Sequence, residues 1–112
     1  MKNTAFILAI IVTFLVSCKK LDIEKGTPKC VEIKIKDFND NSPCNDSRVD
    51  KYLFQNNTVY IFEPGTCGDD MTSGVIDFDC NELGTLGGIV GNTKINGEDF
   101  SNARFIKTIW KK

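Results

Sequence analysis

The positions of the cysteines constrain the fold of this 112-residue chain more than any other feature. Cys18 directly follows an apolar run, whereas Cys30, Cys44, Cys67 and Cys80 lie in the more polar remainder of the sequence. An even number of cysteines in a small exported domain predicts a disulfide framework. We therefore expect two disulfides among the last four cysteines.

Four cysteines allow three pairings, and the sequence does not choose firmly among them. We favour Cys30–Cys44 and Cys67–Cys80, because each pair encloses a turn-rich segment that could be closed locally. Each such bridge would stabilise the fold by about 3 kcal/mol. A zinc site built from the four cysteines is the rival interpretation. It is disfavoured because no two of them are closely spaced and the chain contains no histidine.

The N-terminus has the pattern of an export signal. Lys2 precedes Ala5–Val16, an apolar run that only Thr13 interrupts and that is too short to span a membrane. The last two residues of this run, together with Ser17 and Cys18, form the segment Leu15–Cys18, which resembles the lipobox of bacterial lipoproteins. That resemblance implies cleavage before Cys18 and attachment of acyl chains such as palmitate to this cysteine. An ordinary secretory signal, with Cys18 incidental, is the alternative.

These observations predict a signal peptide over residues 1–17, a lipidated cysteine with a charged tether over 18–27, and one globular domain over 28–112. Cleavage would remove one lysine and no acid, so the net charge would pass from −1 to −2. No basic stripe remains for nucleic-acid phosphates, and we exclude a nucleic-acid partner. A domain of this size has a marginal core that staples would help.

The start of the domain can be read as a helix or as a strand. Thr27 as N-cap and Pro28 at the first helical position favour a helix from Pro28 to Phe38, with Val31, Ile35 and Phe38 on one face. The alternation of apolar and charged residues over 31–36 equally fits a strand. We choose the helix on the strength of the cap.

Most of the remaining sequence has the pattern of β-strands. We predict strands over Val49–Phe54, Thr58–Glu63, Gly74–Cys80 and Phe105–Trp110, and a tight turn at Asn96-Gly97. The fold class is then α+β, with one N-terminal helix packed on a small antiparallel sheet of four or five strands and stapled by disulfides.

The residue types present argue against catalysis. Without histidine, the usual general base and the usual partner of a serine or cysteine nucleophile are both missing. Glu63, Asp69 and Asp70 are weak candidates for a metal site, and a solvated acidic loop is the favoured explanation for them. We therefore expect neither an enzyme nor a resident cofactor.

A set of short segments from Thr27 onward carries a family resemblance: Thr27–Val31, Ile35, Phe38, Val59–Phe62, Pro64–Met71, Asp79-Cys80, Leu86–Ile89 and Ile95–Phe100. In these segments the chain resembles a family of small lipoprotein domains of Bacteroidota, especially flavobacteria. The resemblance implies an exported, lipid-anchored domain and offers no catalytic residues to transfer.

These features lead to two functional hypotheses. The first is a lipid-anchored envelope protein, in the outer membrane because lysine follows Cys18, that acts as a non-enzymatic binding or structural module. It would contact the membrane through its lipid and an envelope protein or a glycan through its domain. An exposed aromatic platform would suit a glycan, although these residues could instead form the core: Tyr52, Phe54, Tyr60, Phe62 and Trp110. The alternative is an inhibitor of a secreted protease or lysozyme that inserts the Pro64–Ser73 loop.

Overall fold

A computed structural model describes residues 20–112, so the predicted signal peptide and Cys18 lie outside the described residues. The part that it describes is one α-helix packed on a five-stranded antiparallel sheet, which confirms the α+β prediction. The elements are α1 (Lys29–Asn41), β1 (Arg48–Phe54), β2 (Asn57–Glu63), β3 (Thr72–Asp77), β4 (Glu82–Gly87), β5 (Lys94–Ile95), β6 (Glu98–Asp99), a 3-10 helix (Phe100–Asn102) and β7 (Arg104–Lys111). No helix within residues 20–112 is long and apolar enough to cross a membrane.

The helix α1 confirms one of the two readings of its sequence. Val31 and Ile35 are buried and Phe38 packs against the same core, whereas Ile33 is 59% exposed, as a helical rather than an alternating period requires. Thr27 does not cap the helix as we expected. Its hydroxyl donates to the Glu24 carbonyl at 2.7 Å.

The strands of the large sheet follow the order β4-β3-β2-β1-β7. The β1–β2 hairpin turns through Gln55 and Asn56, which both have positive φ and so give the turn that suits the twist of a tight hairpin. β3 ends at Asp77, earlier than we predicted. The Asp77 carboxylate there accepts hydrogen bonds from the backbone N–H groups of Asp79 and Asn81 and closes a turn.

The sheet separates two apolar cores. The first lies between the sheet and α1 and contains, among others, Val31, Ile35, Tyr60, Phe62 and Trp110. The second lies on the opposite face, where Ile95 of the β5–β6 hairpin and Phe100 of the 3-10 helix pack against Phe54, Val59, Ile61 and Val75. Phe54, Tyr60, Phe62 and Trp110 are therefore core residues, and they do not form an exposed platform.

The disulfide pairing that we favoured is wrong. Cys30 bonds to Cys80, with 6.3 Å between their Cα atoms, and Cys44 bonds to Cys67, with 5.5 Å between theirs. Each bridge joins segments that are distant in sequence. The first connects the start of α1 to the turn after β3, and the second connects the segment after α1 to the β2–β3 loop. The staples connect layers of the fold and do not close local loops.

The predicted tether over residues 18–27 is also corrected for part of its length. Leu21 and Ile23 are half-buried against the first core, and the backbone N–H of Glu24 donates to the Ile109 carbonyl at 3.0 Å. This stretch, Leu21–Glu24, is called the docked segment below. It belongs to the folded domain because its apolar side chains leave water in the contact.

Candidate functional site

The sheet face opposite α1 has an apolar part and a polar part. Ile95 and Phe100 pack over the apolar part, which carries the second core. Beyond this core, the alternate strand residues that point to the same face are polar. We call the line formed by Arg48, Glu63 and Ser73 on β1, β2 and β3 the polar row.

The polar row is linked by direct contacts across three strands. Arg48 lies opposite Glu63 in the β1–β2 register, and its guanidinium lies 3.5 Å from the Glu63 carboxylate. The other oxygen of that carboxylate accepts a hydrogen bond from the Ser73 hydroxyl. Each member is thereby held in place by its neighbour.

Asp50 anchors the polar row from within the sheet. Its carboxylate is almost fully buried and accepts hydrogen bonds from Arg48 Nε at 2.9 Å and from Thr108 Oγ1 at 2.7 Å. The hydrogen bond that Arg48 donates to Asp50 is the main cause that raises the pKa of the Arg48 guanidinium above its ordinary value. A charged donor is therefore fixed with 44% of its side chain still exposed to solvent.

Tyr52 connects this polar surface to a groove. Its ring packs edge-on against Phe100 and Phe105, with centroid distances of 5.1 and 5.5 Å. Burial, followed by the nearby charges of Asp50 and Glu63, raises the pKa of the Tyr52 hydroxyl, so this group stays a neutral donor and acceptor near neutral pH.

The groove is open to solvent and has a volume of about 490 Å³. Apolar and polar side chains share its lining, which combines an aromatic wall with hydroxyl and carboxylate groups. Its lining includes Tyr52, Leu86, Thr93, Asp99, Phe100 and Ala103. Leu86 lies directly opposite Ser73 in the β3–β4 register, so the groove and the polar row form one continuous surface.

The carboxylates that we singled out as weak metal candidates are not brought together. Glu63 belongs to the polar row, whereas Asp69 and Asp70 lie on the exposed β2–β3 loop. Among residues 20–112, no three acidic or cysteine side chains are grouped so that they could hold a metal ion.

Of the predicted Pro64–Ser73 loop, Thr72 and Ser73 belong to β3, and the remaining residues, 64–71, form a loop that is held by two kinds of contact. Cys67 is bridged to Cys44, and the Asp46 carboxylate accepts hydrogen bonds from the backbone N–H and the hydroxyl of Thr66, the latter at 2.6 Å. The Thr66 hydroxyl is the main cause that lowers the pKa of Asp46. These contacts tie the loop to the segment that precedes β1.

Reasoning from the sequence missed most of this surface. Arg48, Asp50 and Tyr52 occupy alternate positions of β1, and a polar residue every second position on an otherwise apolar strand was the available signal. It was hidden because β1 also has Lys51 on its other face, so the strand shows no clean alternation.

Comparison with known proteins gives one match. Residues 34–112, which include every strand of the sheet, match the family described as a domain of unknown function, DUF6970. Searches of curated proteins and of solved structures find no significant match. Because the match covers more than half of the sequence, the chain belongs to the DUF6970 family.

Proposed function

We propose that this chain is a lipid-anchored protein of the cell envelope, located in the outer membrane, whose domain binds a glycan without transforming it. The lipobox ending at Cys18 supports the anchor, which requires no spanning helix, since one lipid group with two or more acyl chains holds a protein stably. The two disulfides support export, because such bonds persist in oxidising compartments outside the cytosol.

The polar row beside the groove carries the proposal of glycan binding. Sugar hydroxyls both donate and accept hydrogen bonds. Arg48 supplies donors, Glu63 supplies acceptors, and the Tyr52 hydroxyl supplies both. The apolar face of a sugar ring suits the aromatic wall of the groove. Because the polar groups already hold one another, binding requires little reorganisation.

The arrangement of the carboxylates supports binding over hydrolysis. Asp50 and Glu63 both contact the same cation, Arg48. Glycoside hydrolysis needs two carboxyl groups that face each other across the scissile bond, one to protonate the leaving oxygen and one to act as nucleophile or base. Two carboxylates shared by one guanidinium instead form a fixed recognition surface.

Titration calorimetry with soluble oligosaccharides of bacterial cell walls and other envelope glycans tests the binding site. We expect Tyr52→Phe to weaken binding about fivefold and Glu63→Gln about tenfold, as the loss of one neutral and one charged hydrogen bond predicts. Tyr60→Phe is the matched control, because it removes a hydroxyl from the opposite face of the sheet. Glycan binding is refuted if no glycan binds, or if Tyr60→Phe weakens binding as much as Tyr52→Phe.

The anchor is tested separately by replacing Cys18 with serine. We expect the variant to lose its acyl mass and to leave the membrane fraction or accumulate with its signal peptide uncleaved. Unchanged mass and unchanged fractionation would contradict lipidation at Cys18 and would leave the glycan test unaffected.

Inhibition of a secreted protease or lysozyme through the predicted Pro64–Ser73 loop is a second candidate. It is supported by the disulfide and the hydrogen bonds that hold residues 64–71 of this loop. An inserted loop binds most tightly when it is already held in its bound conformation, as Cys67 and Thr66 hold this one. Incubation of the domain with a panel of envelope hydrolases tests this candidate. Undiminished activity across the panel would dismiss it.

A further inference from the structure

The docked segment leaves almost no free chain between the domain and the proposed lipid. Only Lys19 and Lys20 separate Cys18 from Leu21, whose side chain packs against the first core. Three residue steps of fully extended chain span at most about 11 Å. If Cys18 carries acyl chains, as proposed above, the end of the domain near Leu21 must therefore lie at the bilayer surface.

The strand register identifies which end of the sheet this is. The backbone N–H of Glu24 donates to the Ile109 carbonyl, and from there the chain runs to Cys30, which is bonded to Cys80 beyond the end of β3. The start of the docked segment, Leu21, therefore lies toward the Lys111 end of β7. Antiparallel pairing places Lys111 beside Arg48, Arg48 beside Glu63, and the start of β3 beside the end of β4. We call this end of the sheet the anchor end.

Three lysines lie at the β7 side of the anchor end. Lys20 and Lys111 are exposed, and Lys112 also lies here, where its ammonium donates to the carbonyls of Asn39 and Ser42 at the end of α1. Ammonium groups close to a bilayer are attracted to lipid phosphates. The β7 side of the anchor end therefore suits a headgroup layer.

The β4 side of the anchor end presents an apolar tip. Ile89 and Val90 are 87% and 90% exposed, the highest values among the exposed large apolar side chains of the described residues. Their turn is rigid, because Gly87 and Asn92 exchange backbone hydrogen bonds of 2.8 and 3.2 Å. The side-chain amide of Asn92 also donates to the Thr85 carbonyl at 2.6 Å.

We propose that the anchor end of the sheet, rather than the sheet face that carries the polar row, docks on the lipid bilayer, with Ile89 and Val90 inserted among the headgroups and the lysines of the β7 side against lipid phosphates. Four strand spacings, about 19 Å, separate the two contacts, so together with the lipid they fix the orientation of the domain. Asp69 and Asp70 lie on the loop between them, and the apolar tip therefore depends on hydrophobic insertion more than on charge.

Tryptophan fluorescence of the lipidated chain in vesicles of phosphatidylethanolamine and phosphatidylglycerol tests this orientation. The one natural tryptophan, Trp110, is buried and gives a constant background. Ile89→Trp places a reporter on the tip. Phe78→Trp is the matched control, because Phe78 is 51% exposed at the opposite end of the sheet, beyond β3. With brominated acyl chains, we expect quenching at position 89 to exceed that at position 78 severalfold.

A second variant tests the role of the short connection. Insertion of about twenty glycine and serine residues between Lys20 and Leu21 frees the domain from the anchor while leaving the lipid in place. We expect quenching at position 89 to fall in this variant. Equal quenching at positions 89 and 78 in protein whose acyl mass is verified would overturn the docking, whereas absence of the acyl mass would overturn the anchor itself.

Discussion

At the scale of single residues, the most constrained side chain is Asp50. A buried carboxylate loses its hydration and must recover the lost free energy from hydrogen bonds within the protein. Arg48 and Thr108 supply these bonds, one from the neighbouring position of the same strand face and one from β7. The polar row therefore depends on Asp50, a residue that is itself buried and out of contact with solvent.

The unequal burial of Asp50 and Arg48 leads to a prediction about unfolding free energy. Arg48→Met leaves a buried carboxylate without its ionic partner, which we expect to cost about 3 kcal/mol. Asp50→Asn leaves a guanidinium that water can reach, and we expect a cost of about 1–2 kcal/mol. Urea unfolding of both variants checks the order. A larger loss in Asp50→Asn than in Arg48→Met would contradict it.

The polar row could not be predicted residue by residue. Glu63 was singled out from the sequence, but as a companion of Asp69 and Asp70, its neighbours along the chain. Its true partners, Arg48 and Ser73, lie on the adjacent strands. Composition and spacing identify the strands, whereas the contacts between strands depend on their register. A shift of one residue in register would move every side chain of a strand to the other face of the sheet.

At the scale of elements, the sequence was sufficient where the signal is local. The i, i+4, i+7 apolar spacing identified α1, although the expected Thr27 cap is not formed, and the apolar runs identified β1 and β2. The disulfide pairing failed because proximity in sequence was used in place of proximity in space. The docked segment carries the chain to the end of the sheet where α1 begins, and this path sets Cys30 beside Cys80.

The two bridges lead to a prediction that separates them by loop length. Cys30–Cys80 joins residues 50 apart and Cys44–Cys67 residues 23 apart. On the chain-entropy account, replacing both cysteines of a pair by serine costs about 4 kcal/mol for the first and about 3.5 kcal/mol for the second. Urea unfolding measures both losses. Peptide mapping without reduction that linked Cys30 to Cys44 would contradict the pairing on which they rest.

At the scale of the whole molecule, the domain is closed by its own N-terminal segment. The first core is covered partly by α1 and partly by Leu21 and Ile23. Glu24 holds this cover in place, because its two carboxylate oxygens lie 2.9 Å from Lys51 Nζ and 2.6 Å from Lys107 Nζ. A change in the charge of Glu24 therefore weakens the contact between the docked segment and the sheet.

In the folded protein the pKa of Glu24 lies below its ordinary value of 4.5, chiefly because of the hydrogen bond with Lys107 and then because of that with Lys51. The stabilisation by ionised Glu24 is therefore complete at a pH above the pKa of Glu24 in the unfolded chain. It is lost as the pH falls through the lower pKa of Glu24 in the folded protein. We expect the protection of the Glu24 backbone amide against hydrogen exchange, corrected for the intrinsic exchange rate at each pH, to fall as the pH falls through the lowered pKa of Glu24. Glu24→Gln should abolish this dependence on pH because it removes the titrating group. Protection that is constant with pH in the natural chain, or that falls equally in Glu24→Gln, would show that packing of Leu21 and Ile23 alone holds the segment.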